Sequence, residues 1–125
     1  MIHLKPVNFL EIQKWFVDYQ KKSKNYDMPP EQAGLLGIYK DDELIGYFIT
    51  VCYKNGTVEI NQGYLKPEAR HKTYSRIAME LLETAVKNKG FKRISLATNR
   101  AVGSYQRFMK SLGFNLVRAE FSKEV

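Results

Sequence analysis

The sequence predicts an α/β protein, more specifically a mixed sheet with helices on both faces. Segments of strand-like pattern alternate with segments whose apolar residues recur at helical spacing. The predicted order is β-α-β-β-β-α-β-α-β, in which a strand meander leads into a β-α-β crossover. A chain of 125 residues can bury its own core, and the sequence contains no linker or repeat. We therefore expect residues 1–125 to form a single domain.

The first elements are a short strand and a helix. The strand is predicted over Ile2–Val7, after which Asn8 is suited to cap a helix and Glu11 to complete a capping box. Apolar residues at helical spacing predict a helix over Phe9–Lys22. Residues 23–32 contain adjacent prolines and are predicted to be a loop.

Three strands should follow as a meander. They are predicted over Gly34–Tyr39, Leu44–Tyr53 and Thr57–Leu65, with a turn at residues 40–43 and a hairpin turn at Asn55-Gly56. The second strand is almost continuously apolar, which is typical of a strand covered on both faces. The meander therefore forms the centre of the predicted sheet.

The second half of the sequence alternates helices with strands. A helix is predicted over Tyr74–Lys89 with Gly90 as its stop, then a short buried strand over Ile94–Ala97. A second helix carries an apolar stripe from Val102 to Leu112, and a last strand is predicted over Phe114–Ser122.

Composition limits the classes of protein. The sequence starts with charge and proline rather than a signal peptide, and no apolar run is long enough to span a membrane. Cys52 is the single cysteine, and His3 and His71 are far apart, so we expect neither a disulfide nor a metal site. These features favour the cytoplasm, which would be the host cytoplasm for a viral protein.

The third strand of the meander is unusually polar for its central position. Strict alternation places one set of side chains on one face: Val58, Ile60, Gln62 and Tyr64. Glu59, Asn61 and Gly63 fall on the other face. Either the strand is more exposed than its position suggests, or Glu59 and Asn61 line a cleft in which the carboxylate serves as a general base. Gly63 predicts a bulge or the close approach of a ligand.

A basic loop joins this strand to the next helix. Free amides and the positive end of a helix favour a phosphate at such a place, and Arg70, Lys72 and Arg76 add positive charge. Basic loops of this kind are also common without a ligand. The net charge of +7, from 20 basic and 13 acidic residues, is compatible with an anionic cofactor, nucleic acid or plain solubility.

The segment Leu65–Arg70, followed by a helix, resembles the acetyl-CoA signature of the GNAT acetyltransferases. In that signature a strand ends in Val-x-Pro and is followed by Gln/Arg-x-x-Gly-x-Gly/Ala. Arg70 falls on the Gln/Arg position, while Thr73 and Ser75 fall on the two small positions. Residues 107–114 are similar to the closing helix of the family, Leu-Tyr-x-x-x-Gly-Phe. The resemblance extends over almost the whole chain.

The resemblance implies an N-acetyltransferase that uses acetyl-CoA as co-substrate. Glu59 would be the general base that deprotonates a primary amine. The pantetheine arm would pair with the strand near Tyr64 and Leu65, between two splayed parallel strands. The diphosphate would lie on the amides of His71, Lys72, Thr73, Tyr74 and Ser75, beside Arg70. Trp15, Tyr19 and Tyr26 could line the acceptor pocket, although packing explains Trp15 equally well.

The sequence departs from the family pattern at several positions. Thr73 and Ser75 stand where glycines are usual, and a β-branched Thr73 opposes a positive φ. Met109 replaces the tyrosine that serves as general acid, so Tyr105, one turn earlier, is the candidate for that role, with core packing as the alternative. The usual last strand is missing from the predicted order, and a homodimer could cover that edge.

Three functions therefore remain open. The first is an active N-acetyltransferase whose amine acceptor is unknown. The second is a catalytically silent GNAT fold that works as a binding or virion-associated module, because residues 107–113 also resemble phage-encoded GNAT-like proteins. The third is a basic nucleic-acid-binding domain, which the absence of any recognition-helix or RNA-binding signature disfavours. We expect no membrane partner.

Overall fold

A mixed sheet with a helix packed on each face forms the framework of the computed structural model. The structure describes residues 1–23, 33–96, 103–115, 123 and 124. The elements in chain order are β1 (Ile2–Pro6), α1 (Phe9–Ser23), β2 (Gly34–Lys40), β3 (Glu43–Cys52), β4 (Thr57–Leu65), a 3-10 turn (Pro67–Ala69), α2 (Tyr74–Asn88), β5 (Arg93–Leu96) and α3 (Gly103–Ser111). None of these helices is long and apolar enough to cross a membrane.

The five strands lie in the order β1-β2-β3-β4-β5. The first four are joined by antiparallel pairing, and β5 pairs in parallel with β4 from Thr57↔Arg93 to Ile60↔Leu96. The crossover between β4 and β5 is made by α2, as parallel strands require. The predicted mixed sheet is confirmed.

Local signals explain the boundaries of several elements. The Glu11 carboxylate accepts a hydrogen bond of 2.9 Å from the backbone N–H of Asn8, so this half of the predicted capping box forms at the start of α1. In the β3–β4 hairpin, Gly56 has φ +88° and the Asn55 side chain accepts a bond of 3.1 Å from the Thr57 amide. Both turn residues therefore act as their types predict.

The sheet has a separate apolar core on each face. The larger core packs α2 against the sheet, and its most buried members are Ile38, Ile45, Ala78 and Leu82. The smaller core packs α1 against the other face and contains Ile12, Phe16, Tyr47 and Ile49. Two layers of helix around one sheet bury both of its faces, which is why β3 has a continuous apolar sequence.

The alternation predicted for β4 is wrong beyond Ile60. Ile49 pairs with Gln62 and Thr50 pairs with Ile60, so Asn61 is an extra residue and forms a β-bulge. The bulge moves the following residues to the opposite face. Tyr64 consequently packs in the core under α1, whereas Val58 and Ile60 pack in the core under α2. A similar shift leaves Ile45 unpaired between β2 and β3.

The predicted last strand, Phe114–Ser122, falls largely on residues 116–122, which lie outside the described residues. Phe114 itself packs against the core under α2 and is not part of a strand. The proposed coverage of this edge by a second copy of the chain therefore stays a prediction.

Candidate active site

Glu59 lies in the middle of β4, between β3 and β5. It is opposite Val51 on one side and Ser95 on the other, and its side chain is half-buried. Val58 and Ile60 on either side of it face α2, so the alternation of the strand directs Glu59 to the face that carries α1. No described residue forms a salt bridge with the Glu59 carboxylate. A half-exposed carboxylate in this position can accept a proton from a bound amine.

The bulge next to Glu59 is at Asn61 rather than at Gly63, where the sequence predicted it. Gly63 is exposed, and a Cβ atom there would lie at an ordinary distance of 3.4 Å from the Phe48 ring. The close approach in this part of the sheet occurs at Gly46, where a Cβ atom would come within 2.1 Å of the Tyr64 carbonyl oxygen. The Asn61 side chain, predicted beside Glu59, is exposed.

Beyond the bulge, β4 carries an aromatic cluster on the face of α1. We use this term for Trp15, Tyr47 and Tyr64. The Tyr64 ring stacks on Tyr47 with centroids 5.4 Å apart and lies 5.7 Å from Trp15 of α1. The side-chain amide of Gln62 donates a hydrogen bond to the Tyr47 hydroxyl. Both polar groups are buried, and this bond satisfies them.

The Tyr47 side chain has no exposed surface. Burial raises the pKa of this phenol well above its ordinary value, and the neighbouring Tyr64 and Tyr19 raise it further. The hydrogen bond from Gln62 opposes these effects. Tyr47 is therefore a neutral structural group rather than a source of protons near neutral pH.

The parallel pairing of β4 ends just before the bulge. Ile60 and Leu96 are the last paired residues, and no strand among the described residues pairs with Asn61–Leu65 on the side away from β3. Among the described residues no strand occupies this side of β4, so an extended ligand could pair with its backbone. The expected gap beside Tyr64 and Leu65 stays a prediction.

The loop between β4 and α2 has its strained residue at an unexpected position. His71 has φ +61°, in the left-handed region, whereas Thr73 has φ −77°. The strain expected from Thr73 is therefore absent, because the turn does not need a positive φ there. Thr73 caps α2 without a side-chain hydrogen bond. The amides that open α2 have no partner inside the helix, and those of Tyr74 and Ser75 have no acceptor among the residues that the structure describes.

The cations around the loop differ in their surroundings. Arg70 donates from Nε to the Leu65 carbonyl at 2.8 Å, and its guanidinium lies 5.2 Å from the Tyr64 ring centroid. The Lys72 ammonium lies 5.8 Å from the ring of Tyr74. Arg76 instead reaches α3.

The Arg76 guanidinium donates to the Ser111 hydroxyl at 3.0 Å and lies 6.0 Å from the Phe108 ring. It therefore ties α2 to α3. Of the three cations predicted to serve the loop, Arg70 and Lys72 are the two that remain beside it.

The structure leaves the predicted general acid untested. Tyr105 lies on α3, but its side chain is outside what the structure describes, as is all of Tyr26. Met109 is half-buried on the same helix. Sequence reasoning missed the pairing of Tyr47 with Gln62, and the only signal for it was the presence of an uncharged polar side chain on a central strand.

Comparison with known proteins adds evidence of common ancestry. Residues 5–114 match the model of the Acetyltransferase (GNAT) family. A search among curated proteins found no match.

Solved structures share the fold at low sequence identity. YycN of Bacillus subtilis, assigned as an acetyltransferase, has a TM-score of 0.78 at 15% identity, with 100% of this chain and 99% of that chain covered. The ribosomal-protein-S18-alanine N-acetyltransferase of Escherichia coli has a TM-score of 0.74 at 13% identity, with 94% and 80% covered.

A third similar structure contains a ligand. It is AAC(6')-Iy in complex with the bisubstrate analogue CoA-S-monomethyl-acetylneamine, with a TM-score of 0.66 at 15% identity and coverage of 100% and 99%. Identities this low establish the fold alone, whereas the family model covers most of the chain. The family match and the shared fold together show that the chain belongs to the GNAT family of acetyltransferases.

Proposed function

We propose that this protein is an N-acetyltransferase that moves an acetyl group from acetyl-CoA to a primary amine. The observation that carries the proposal is the arrangement of β4: a half-buried Glu59, an adjacent bulge, and a strand end with no described partner on one side, followed by a basic loop that opens α2. The acceptor is an unidentified small molecule, peptide or protein.

The loop and the strand end have groups that suit coenzyme A. The available amides and the positive end of α2 suit the diphosphate, and Lys72 adds a cation that is exposed to solvent. The side of Asn61–Leu65 that has no partner strand among the described residues suits the amides of the pantetheine arm. The residues proposed to hold the cofactor are Tyr64, Leu65, Arg70, His71, Lys72, Thr73, Tyr74 and Ser75. When bound, acetyl-CoA supplies an acyl group activated as a thioester.

Glu59 is proposed as the general base. An amine is a nucleophile only when neutral, and a carboxylate next to the bound ammonium can take its proton directly or through water. Tyr105 is the candidate that returns a proton to the leaving thiolate. The aromatic cluster lies on the same face as Glu59, so it can form one wall of the acceptor site.

A catalytically silent binding module is the second candidate. Met109 has no proton to donate where a tyrosine is usual, and Thr73 and Ser75 carry side chains where the family has small residues. In such a module the loop amides would bind an anion without supporting acyl transfer. The charge of +7 alone does not favour nucleic acid over these two functions.

Calorimetric titration with coenzyme A tests the binding step, and acetyl transfer to primary amines tests the chemistry. An aminoglycoside and a peptide with an N-terminal alanine make a rational first panel, because similar structures include an aminoglycoside N-acetyltransferase and a ribosomal-protein-S18-alanine N-acetyltransferase. Glu59→Gln should keep the affinity for coenzyme A and slow transfer by about 100-fold or more, as expected for loss of a general base.

Glu83→Gln is the matched control, because it removes an exposed carboxylate from α2. It should change neither binding nor rate. Normal transfer by Glu59→Gln would exclude Glu59 as the base. Binding of coenzyme A without transfer to any primary amine would favour the silent module, and no binding of coenzyme A would refute the proposed function.

A further inference from the structure

We propose that Arg70 is a positioning residue that connects the cofactor loop to the aromatic cluster on the acceptor side. This inference rests on the proposed function. Through Arg70, binding of the coenzyme A diphosphate at the loop should alter the environment of Tyr64 and Trp15. Arg70 would then do more than add positive charge for a phosphate.

The contacts of Arg70 point back to β4 rather than outward. Its Nε–H group donates a hydrogen bond of 2.8 Å to the carbonyl oxygen of Leu65. Leu65 is the last residue of β4. Its guanidinium also lies 5.2 Å from the centroid of the Tyr64 ring, within the range of a cation–π contact. Two directional contacts therefore hold an otherwise exposed side chain against the end of β4.

Tyr64 in turn contacts two other aromatic side chains. Its ring stacks on Tyr47 at 5.4 Å and an interplanar angle of 24°, and it lies 5.7 Å from Trp15 at 37°. Tyr47 is fully buried and held by Gln62, so this side of the ring has a fixed neighbour. A change in the position of Tyr64 would therefore alter its contact with Trp15.

The position of Arg70 in the chain makes it sensitive to the loop. It immediately precedes His71, whose left-handed backbone turns the chain towards the amides that open α2. A diphosphate on those amides would attract the guanidinium, and the attraction between unlike charges would compete with its cation–π contact to Tyr64. The diphosphate and the Tyr64 ring would then compete for the same guanidinium.

Lys72 provides an internal comparison. It is also exposed and carries the same charge, but its ammonium lies near the ring of Tyr74 rather than that of Tyr64. Loss of Lys72 should weaken binding of coenzyme A without disturbing the aromatic cluster. Loss of Arg70 should weaken binding and also disturb the aromatic cluster.

Trp15 makes the experiment direct, because it is the single tryptophan of the chain. We would titrate wild type, Arg70→Met, Arg70→Lys and Lys72→Met with coenzyme A, follow Trp15 emission, and measure saturation by calorimetry. Emission is compared at equal saturation. Wild type and Lys72→Met should show the same emission change, whereas Arg70→Met should lose most of it. Arg70→Lys should recover part of it, because a cation over the ring is kept while the planar fork is lost.

Affinity gives a second readout. Arg70→Met and Lys72→Met should each bind coenzyme A about two- to five-fold more weakly, as expected for one exposed charge contact. An unchanged Trp15 response in Arg70→Met, or no response in wild type at full saturation, would overturn the role of Arg70. Either result would leave the proposed function intact, because coenzyme A has bound. Absence of binding to wild type would instead remove both proposals.

Discussion

Tyr47 and Gln62 form a buried polar pair between α1 and the sheet. The phenol has no exposed surface, and the amide is 8% exposed. Each group is the hydrogen-bond partner of the other, so removing one leaves the other buried without that partner. Sequence alternation placed Gln62 on the face of Val58, where Tyr47 could not reach it.

Removing the hydroxyl of Tyr47 should therefore destabilise the protein, because the buried amide of Gln62 loses its partner. We expect Tyr47→Phe to lower the free energy of unfolding by about 1–3 kcal/mol, because Gln62 is left without an acceptor. Urea denaturation measures this change. Tyr47→Phe combined with Gln62→Met should recover much of the loss, whereas Tyr53→Phe, at a position that is 45% exposed, should have no effect. Additive losses in the double variant would contradict this coupling.

The same phenol predicts a loss of stability at alkaline pH. Burial raises the pKa of Tyr47 in the folded state, so the folded chain favours the neutral form more than the unfolded chain does. This contribution is complete below the ordinary tyrosine pKa of about 10 and is lost as pH rises towards the folded value. The free energy of unfolding should thus fall more steeply above that pH in wild type than in Tyr47→Phe. Equal slopes in the two proteins would refute the assignment.

Among single residues, Glu59 was a candidate from the sequence because it is a charged residue on a strand predicted to be central. The structure places its side chain half-buried in the middle of β4, and its role as general base stays a prediction. The strain at His71 was not visible, because a left-handed residue depends on the path of the whole loop rather than on its own type.

At the level of elements, β4 combines a bulge with a very close approach to β3. The bulge at Asn61 puts Val58 and Tyr64 on opposite faces of the sheet. Strict alternation could not reveal it, because a bulge is a property of the pairing between two strands rather than of one strand's pattern. The strand boundaries themselves, Thr57–Leu65, were predicted correctly.

Two glycines in this pair of strands should differ in how well they tolerate substitution by alanine. A Cβ atom at Gly46 would lie 2.1 Å from the backbone carbonyl of Tyr64, and backbone cannot move aside as a flexible side chain can. We expect Gly46→Ala to destabilise the protein by about 1–3 kcal/mol or more. Gly63→Ala, whose Cβ would meet Phe48 at 3.4 Å, should be tolerated. Thermal denaturation of both variants tests this, and equal melting temperatures would contradict it.

At the scale of the whole molecule, the excess of positive charge should appear in cofactor binding. The chain carries a net charge of +7, and coenzyme A is an anion. We expect its affinity to fall by roughly tenfold between low and high salt, because a few exposed charge contacts are worth about 1.4 kcal/mol together. Calorimetry at two ionic strengths measures the change. Lys72→Met should show a smaller salt dependence, and an affinity independent of salt would exclude charge as a contributor.

Much of the architecture could be predicted from local patterns. Hairpin signals at Asn55-Gly56 and the helical stripe before Gly90 are encoded within a few residues, so the order from β1 to α3 followed from the sequence. The expected splay beside Leu65 came from resemblance to a family. The link from Arg70 to Tyr64 had no local signal, since it depends on how a loop folds back on a strand.

The sequential order of the sheet has a consequence for synthesis of the protein. β2, β3 and β4 each pair with the strand made just before them, so these antiparallel pairs can form while the chain is still leaving the ribosome. β5 must wait until α2 has been translated, because the parallel pair requires that crossover. During this interval the edge of β4 is open on the nascent chain and can pair with a neighbouring chain. The strand that carries Glu59 is therefore an edge strand of the nascent sheet until β5 has been made.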